Sequence, residues 1–273
     1  MNPKSKKKYF LLAVTGFIIV LFLIVSVLGR RIEPNTNKSS TSTSHAIFSQ
    51  LLSKHVDEQG MVNYQGFVED SAELKNYLDL LASNESSTSW SEKEQLAYWI
   101  NAYNAFTIQL IVEHYPVESI KDIGSLIQIP FINSVWDIDF IQIGTKKLSL
   151  NNIEHKILRS RFNEPRIHFA IVCASISCPK LRNEAYTATS LDMQLEEQAI
   201  DFINDTDRNK TENSKIEISK IFKWFKGDFT ENGNLIEFLN KYSKTKIHSD
   251  AKISHLDYNW NLNEQVDPIH TTN

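Results

Sequence analysis

The sequence predicts an α+β protein: a single compact domain of several helices around a small, mainly antiparallel sheet, preceded by one N-terminal transmembrane helix. Three observations predict it. A long uncharged run opens the chain, one strongly helical segment carries no charge through its centre, and short β-prone runs lie among helical ones without a regular βαβ alternation. With 273 residues, 41% of them hydrophobic, the chain is long enough to bury a substantial core.

Tyr9 to Leu28 (YFLLAVTGFIIVLFLIVSVL) is free of charge, and as a helix it spans about 30 Å, the thickness of a bilayer core. Lys4, Lys6, Lys7 and Lys8 precede it and only Arg30 and Arg31 follow. The positive-inside rule therefore assigns residues 1–8 to the cytoplasm and the rest of the chain to the extracytoplasmic side, periplasmic or extracellular. A cleaved signal peptide shares the basic start. Here the apolar run exceeds a usual signal core and ends in Val27, Leu28, Gly29 and two arginines, without a small-x-small site. An uncleaved single-pass anchor, residues 9–28, is the expectation, with the membrane as its partner.

Residues 29–44, which include RIEPNTNKSSTSTS, hold too little apolar surface to fold alone and are expected to form a polar linker. Residues 45–273 then form the soluble domain. The 29 basic and 33 acidic residues give a net charge of -4 without a concentrated basic face, which excludes nucleic acid as a partner.

Within the domain, Ser91 and Glu94 stand at capping-box spacing and Pro116 closes the segment, so a helix is expected from Glu92 to His114. Leu96, Trp99, Ile100, Tyr103, Thr107, Leu110 and Ile111 make one stripe, yet Ala97, Ala105, Ile108 and Val112 fill the remaining circumference. A helix apolar nearly all round is buried. Asn101 and Asn104 on it must find partners in a dry interior, either as a structural hydrogen-bond network or as part of a site.

Ile138 to Leu150 shows two short β-prone runs around Gly144 and Thr145, which suit a tight hairpin. LNNIEHKILRSRF follows as a short helix that packs Leu150, Ile153 and Ile157 and leaves His155 and Arg159 together on its other side. Arg166 to Cys173 alternates as a strand, with Ile167, Phe169, Ile171 and Cys173 on one face and His168 on the other. Helices are expected from Ser190 to Asn204 and from Asn234 to Tyr242, and a short strand from Lys215 to Ser219.

The only two cysteines, Cys173 and Cys178, lie in HFAIVCASISCPKL, where Pro179 ends the strand. A loop at a strand end is held by the sheet yet opens to solvent, which suits a reactive side chain. A thiol attacks as thiolate and needs a base or positive charge to lower its pKa from about 8.5. Strict alternation points His168 away from Cys173, so His155 is the expected base, with Glu154 beside it. Buried core packing of Cys173 and a Cys173–Cys178 disulfide remain open. The spacing of these cysteines and histidines matches no compact zinc pattern, and no glycine-rich phosphate loop or serine elbow occurs, so neither metal nor cofactor is expected.

LAYWINAYNAF (Leu96 to Phe106), NNIEHKILR (Asn151 to Arg159), HFAIVCASISCPKL (His168 to Leu181) and IFKWFKGDF (Ile221 to Phe229) together resemble the domain of unknown function 547 family. The resemblance spans most of the soluble domain and implies kinship, while the family's activity is unassigned. It implies Asn101, Asn104, Glu154, His155, Arg159, His168, Cys173, Trp224 and Asp228 as the positions to carry over. It also implies that other residues are admitted at the place of Cys178, which weakens the case for an essential disulfide. IFKWF reads mainly as packing.

The expectation that follows is a thiol hydrolase or transferase acting on amide bonds of peptides or envelope material, similar to papain-like enzymes in joining helices to a small antiparallel sheet. Cys173 would be the nucleophile, His155 its base, and Glu154 and Asn101 orienting groups. Asn104, Arg159, His168, Cys178, Trp224 and Asp228 would support them. The competing expectation is a noncatalytic binding or scaffold domain held at the membrane surface.

Overall fold

A computed structural model describes residues 42–126, 134–211 and 215–265. The expected anchor, residues 9–28, and most of the expected linker lie outside the described residues. Among the described residues no helix is long and apolar enough to cross a membrane. The described part belongs to one unit that begins at Ser42, and Thr43 is already buried in it.

The chain opens with helices α1 (Ala46–His55), α2 (Tyr64–Glu69) and α3 (Ser71–Ser83); α2 and α3 pack on α4 (Glu92–His114), and α1 packs on α2 and α3. α4 has the expected bounds, and Ser91 and Glu94 form the reciprocal capping box. Residues Leu96 to Ile108 are buried without interruption, as the apolar circumference requires. α5 (Ile120–Leu126) follows, and then the hairpin of β1 (Ile141–Ile143) and β2 (Lys146–Leu148). Gly144 turns it at φ 57°, the positive value that the first central residue of a type II′ turn demands.

Asn152–Leu158 winds as a π-helix and passes directly into α6 (Arg159–Arg161). The Arg159 N–H reaches back five residues to the Glu154 carbonyl, a wide turn of the kind found at functional sites. Ile153 and Ile157 are buried as expected, and Glu154 is buried with them.

The strand expected from Arg166 to Cys173 is absent. Glu164 accepts from the Arg166 N–H and Pro165 occupies the first turn of a 3-10 helix, Pro165–Phe169. Beyond it Asn104 of α4 supplies both bonds that a neighbouring strand would have made. Its Nδ2 donates to the Ala170 carbonyl at 2.9 Å and its Oδ1 accepts the Val172 N–H at 3.0 Å. Ile167 and Phe169 are buried from the 3-10 helix and Ile171 from the bend after it, with His168, Ala170 and Val172 buried between and beside them, so the face assignments of His168 and Cys173 drawn from alternation do not hold.

α7 (Leu191–Ile203), β3 (Lys215–Ile218), α8 (Ile221–Trp224), α9 (Lys226–Thr230), α10 (Leu235–Tyr242) and β4 (Lys252–His255) complete the described elements. The expected mainly antiparallel sheet is replaced by two separate two-stranded ladders, β1–β2 antiparallel and β3–β4 parallel. The protein is α+β and helix-rich. Two apolar clusters result: a larger one around α1 to α4, and a smaller one where Phe169 meets Phe202, Phe222, Phe229 and Phe238. Trp136 and Cys173 fringe the first, while Phe225 and Tyr258 fringe the second. Their seam holds the site.

Candidate active site

Cys173 and Cys178 meet because the chain doubles back at Ala174, whose φ of 55° lies in the left-handed region that β-carbon-bearing residues rarely occupy. The Cys178 N–H donates to the Ser175 carbonyl at 3.0 Å, and the Cys173 N–H donates to Cys178 Sγ at 2.9 Å. The sulfurs are 3.1 Å apart, and both are free thiols. Arg208 clamps the turn by donating to the Ile176 carbonyl at 2.6 Å and the Cys178 carbonyl at 2.8 Å.

The C-terminal segment runs alongside. Ile176 and Ser177 donate their N–H groups to the carbonyls of Asn261 and Asn259, which sets the Tyr258 hydroxyl 3.2 Å from Cys173 Sγ. Ser175 Oγ is also 3.2 Å from that sulfur and donates to Tyr258 at 3.3 Å. Tyr258 thus accepts from Ser175 and keeps its own proton for the sulfur.

Donors converging on one sulfur favour its anion. The Cys178 thiol first, and then the linked Ser175 and Tyr258 hydroxyls, with the Tyr258 proton left for the sulfur, draw the Cys173 thiol down to about 7 against the effect of burial. Burial and the adjoining sulfur push Cys178 well up, so it stays protonated and serves as a donor. Cys173 is partly exposed and Cys178 buried.

The π-helix faces this sulfur with Glu154. Burial raises its carboxyl to about 7, against the pull of Arg159, and Cys173 pushes the same way as burial. The Tyr103 hydroxyl donates to Glu154 Oε2 at 3.4 Å. His155, next along, is exposed and turned to the rim, as neighbours on a helix diverge.

Its Nδ1 lies 3.0 Å from Arg159 Nη1. Arg159 in turn grips Asp228 through Nε at 2.6 Å and Nη2 at 2.8 Å, and His168 Nε2 meets Asp228 Oδ2 at 2.8 Å. His168 is buried and stacked on Phe225, with ring centroids 4.0 Å apart. Arg159 and then His168 hold the Asp228 carboxyl far below the usual carboxylate range, while burial lowers both His155 and His168.

A pocket of about 190 Å³ joins these groups, lined by Glu154, His155, His168, Cys173, Cys178 and Trp224 among others. Six residues expected from sequence therefore converge. Arg159 and Asp228 stand behind the histidines and line an adjoining groove. Asn101 and Asn104 are not among the lining residues. Asn101, expected in the catalytic set, spends its amide on the Tyr186 backbone, accepting the N–H at 2.9 Å and donating to the carbonyl at 2.8 Å. The sulfur's hydrogen-bond partners are Cys178, Ser175 and Tyr258, and His155, the expected base, bonds to Arg159 instead.

Tyr103, Trp136, Ser175, Phe225, Tyr258 and Trp260 were not signalled as site residues by the sequence. Trp224 is half exposed and stacks on Trp260 at 5.8 Å, with Tyr258 between them at 4.8 and 4.5 Å, so IFKWF contributes a pocket wall as well as packing. The density of aromatics in YNW, Tyr258 to Trp260, was the available signal. Among the described residues no cluster of metal-ligating side chains occurs.

Residues 87–203 match a family model described as "Protein of unknown function, DUF547". That span contains α4, the π-helix and the cysteine turn, while Trp224, Asp228 and Tyr258 lie beyond it. Neither a curated protein nor a solved structure matches the chain. Residues 87–203 of this chain belong to the domain of unknown function 547 family.

Proposed function

We propose that the protein is a thiol-dependent hydrolase or transferase of amide bonds, held by residues 9–28 at the extracytoplasmic face of a membrane and acting on peptide or envelope material. The observation that carries this reading is the Cys173 sulfur: partly exposed, lining an apolar pocket, and hydrogen-bonded by Cys178, Ser175 and Tyr258. The membrane placement rests on the charge-free run and its flanking lysines alone.

In this reading the Cys173 thiolate adds to the carbonyl carbon and the C–N bond breaks. The leaving nitrogen takes the proton of Glu154, and the thioester passes to water or an acceptor amine. Glu154 is assigned the proton because burial keeps it protonated to about 7, the value at which a general acid serves neutral solution best. His155 accepts from Arg159 at Nδ1 and so offers Nε2–H as a hydrogen-bond donor to the substrate.

The test is the pH dependence of Cys173 alkylation, together with turnover of an activated amide. Alkylation should rise through an inflexion near 7, and Cys173→Ser should abolish both reactions. Glu154→Gln should leave alkylation intact and depress turnover. Reaction of Cys173 only after denaturation would overturn the reading. The second reading, a binding domain, is favoured by the half-exposed Trp224 on its aromatic wall and predicts ligand binding that survives Cys173→Ser.

A further inference from the structure

The acyl chemistry proposed above uses Cys178 only as a hydrogen-bonding neighbour of Cys173, yet the two sulfurs lie close enough for a second chemistry. Cys178 Sγ is 3.1 Å from Cys173 Sγ, about 1 Å beyond the length of a disulfide bond. The two residues are on opposite arms of the turn at Ala174, so closing that gap calls for side-chain rotation within a short loop. Access to the pair is unequal. Both residues line the pocket, but Cys173 is partly exposed and Cys178 is buried.

We propose that Cys173 and Cys178 form a peroxide-reactive pair, in which Cys173 is the site of oxidation by a hydroperoxide and Cys178 the thiol that resolves it into an intramolecular disulfide. In the first step the Cys173 thiolate attacks the terminal oxygen of the hydroperoxide. An S–O bond forms, the O–O bond breaks, and the leaving alkoxide or hydroxide takes a proton, giving a sulfenic acid and an alcohol or water. In the second step Cys178 sulfur attacks Cys173 sulfur, the S–O bond breaks, and the departing hydroxide leaves as water with the Cys178 proton. Sulfur is oxidised and the peroxide reduced. Return to the dithiol requires an external dithiol as reductant. The disulfide removes the thiolate from the pocket, so acyl chemistry stops until it is reduced.

This inference rests on Cys173 being a reactive thiol, as in the reading above, and adds a role for Cys178. The experiment treats the folded, reduced protein with hydrogen peroxide, and then counts thiols and measures intact mass after denaturation. Wild type should lose both thiols together, with a mass decrease of two hydrogens, and regain them with dithiothreitol. Cys178→Ser should instead give a sulfenic acid trapped by dimedone and then gain further oxygen. Cys173→Ser should keep its remaining thiol.

Wild type in which Cys173 gains oxygen while Cys178 stays free would overturn the inference. So would wild type that is alkylated at Cys173 but keeps both thiols in peroxide, and in either case the acyl-transfer reading survives. A protein inert to alkylating agent and peroxide alike would overturn both.

Discussion

Arg159 donates through Nη1 to Nδ1 of His155 at 3.0 Å. A guanidinium can only donate, so the imidazole accepts at Nδ1 and carries its proton on Nε2. Burial and the adjacent positive charge both disfavour the imidazolium. His155 should therefore titrate below the ordinary 6.5 and show the Nε2–H tautomer at neutral pH in imidazole nitrogen NMR. Arg159→Gln should raise its midpoint, because the like charge goes and Asp228 is released from its ion pair. An unchanged midpoint would show that Arg159 does not set the state of this ring.

Much of this site was legible before the fold because one element carries it. Asn151 to Arg159 is a single helical stretch, and helical spacing alone joins His155 to Arg159. What misled was the alternation at Ile167, Phe169 and Ile171, read as one face of a strand, where the segment is a 3-10 helix and bend with His168, Ala170 and Val172 buried as well. Asn104 decides between them by satisfying Ala170 and Val172 from another helix, and a side chain more than sixty positions away leaves no local trace. Tyr258 was illegible for the same reason: it reaches Cys173 across 85 residues.

Asp228 accepts from both Arg159 and His168, and its carboxyl is held low by them. A group whose folded pKa is depressed contributes stability above its unfolded value, near 3.9, and loses it as pH falls toward the folded one. Asp228→Asn should thus cost about 1–2 kcal/mol at neutral pH, a figure reduced by partial solvent access. The deficit should shrink as pH falls below about 4. Urea denaturation of both proteins across pH 3 to 8 checks the sign.

Asn101 and Asn104 make the same two-bond bridge to different segments, so they separate stability from reactivity. Replacing either by Ala leaves a buried N–H and carbonyl unpaired, at about 1–3 kcal/mol for each orphaned group. Both variants should lose stability to a similar degree. Only Asn104→Ala unties the residue preceding Cys173, so it alone should slow Cys173 alkylation per folded molecule. Equal slowing in Asn101→Ala would mean that reactivity tracks global stability.

Tyr258→Phe tests the donor network at the sulfur. Losing its O–H should raise the Cys173 pKa, and a rise of roughly half a unit cuts the thiolate fraction at pH 7 about two-fold. The effect should stay that small because Ser175, 3.2 Å from the sulfur, then loses its bond to Tyr258 and is free to donate to Cys173 itself. Adding Ser175→Ala should remove this substitute and slow alkylation by more than the two single changes predict together. Strict additivity would instead make the two hydroxyls independent donors, with no relay from Ser175 through Tyr258 to the thiol.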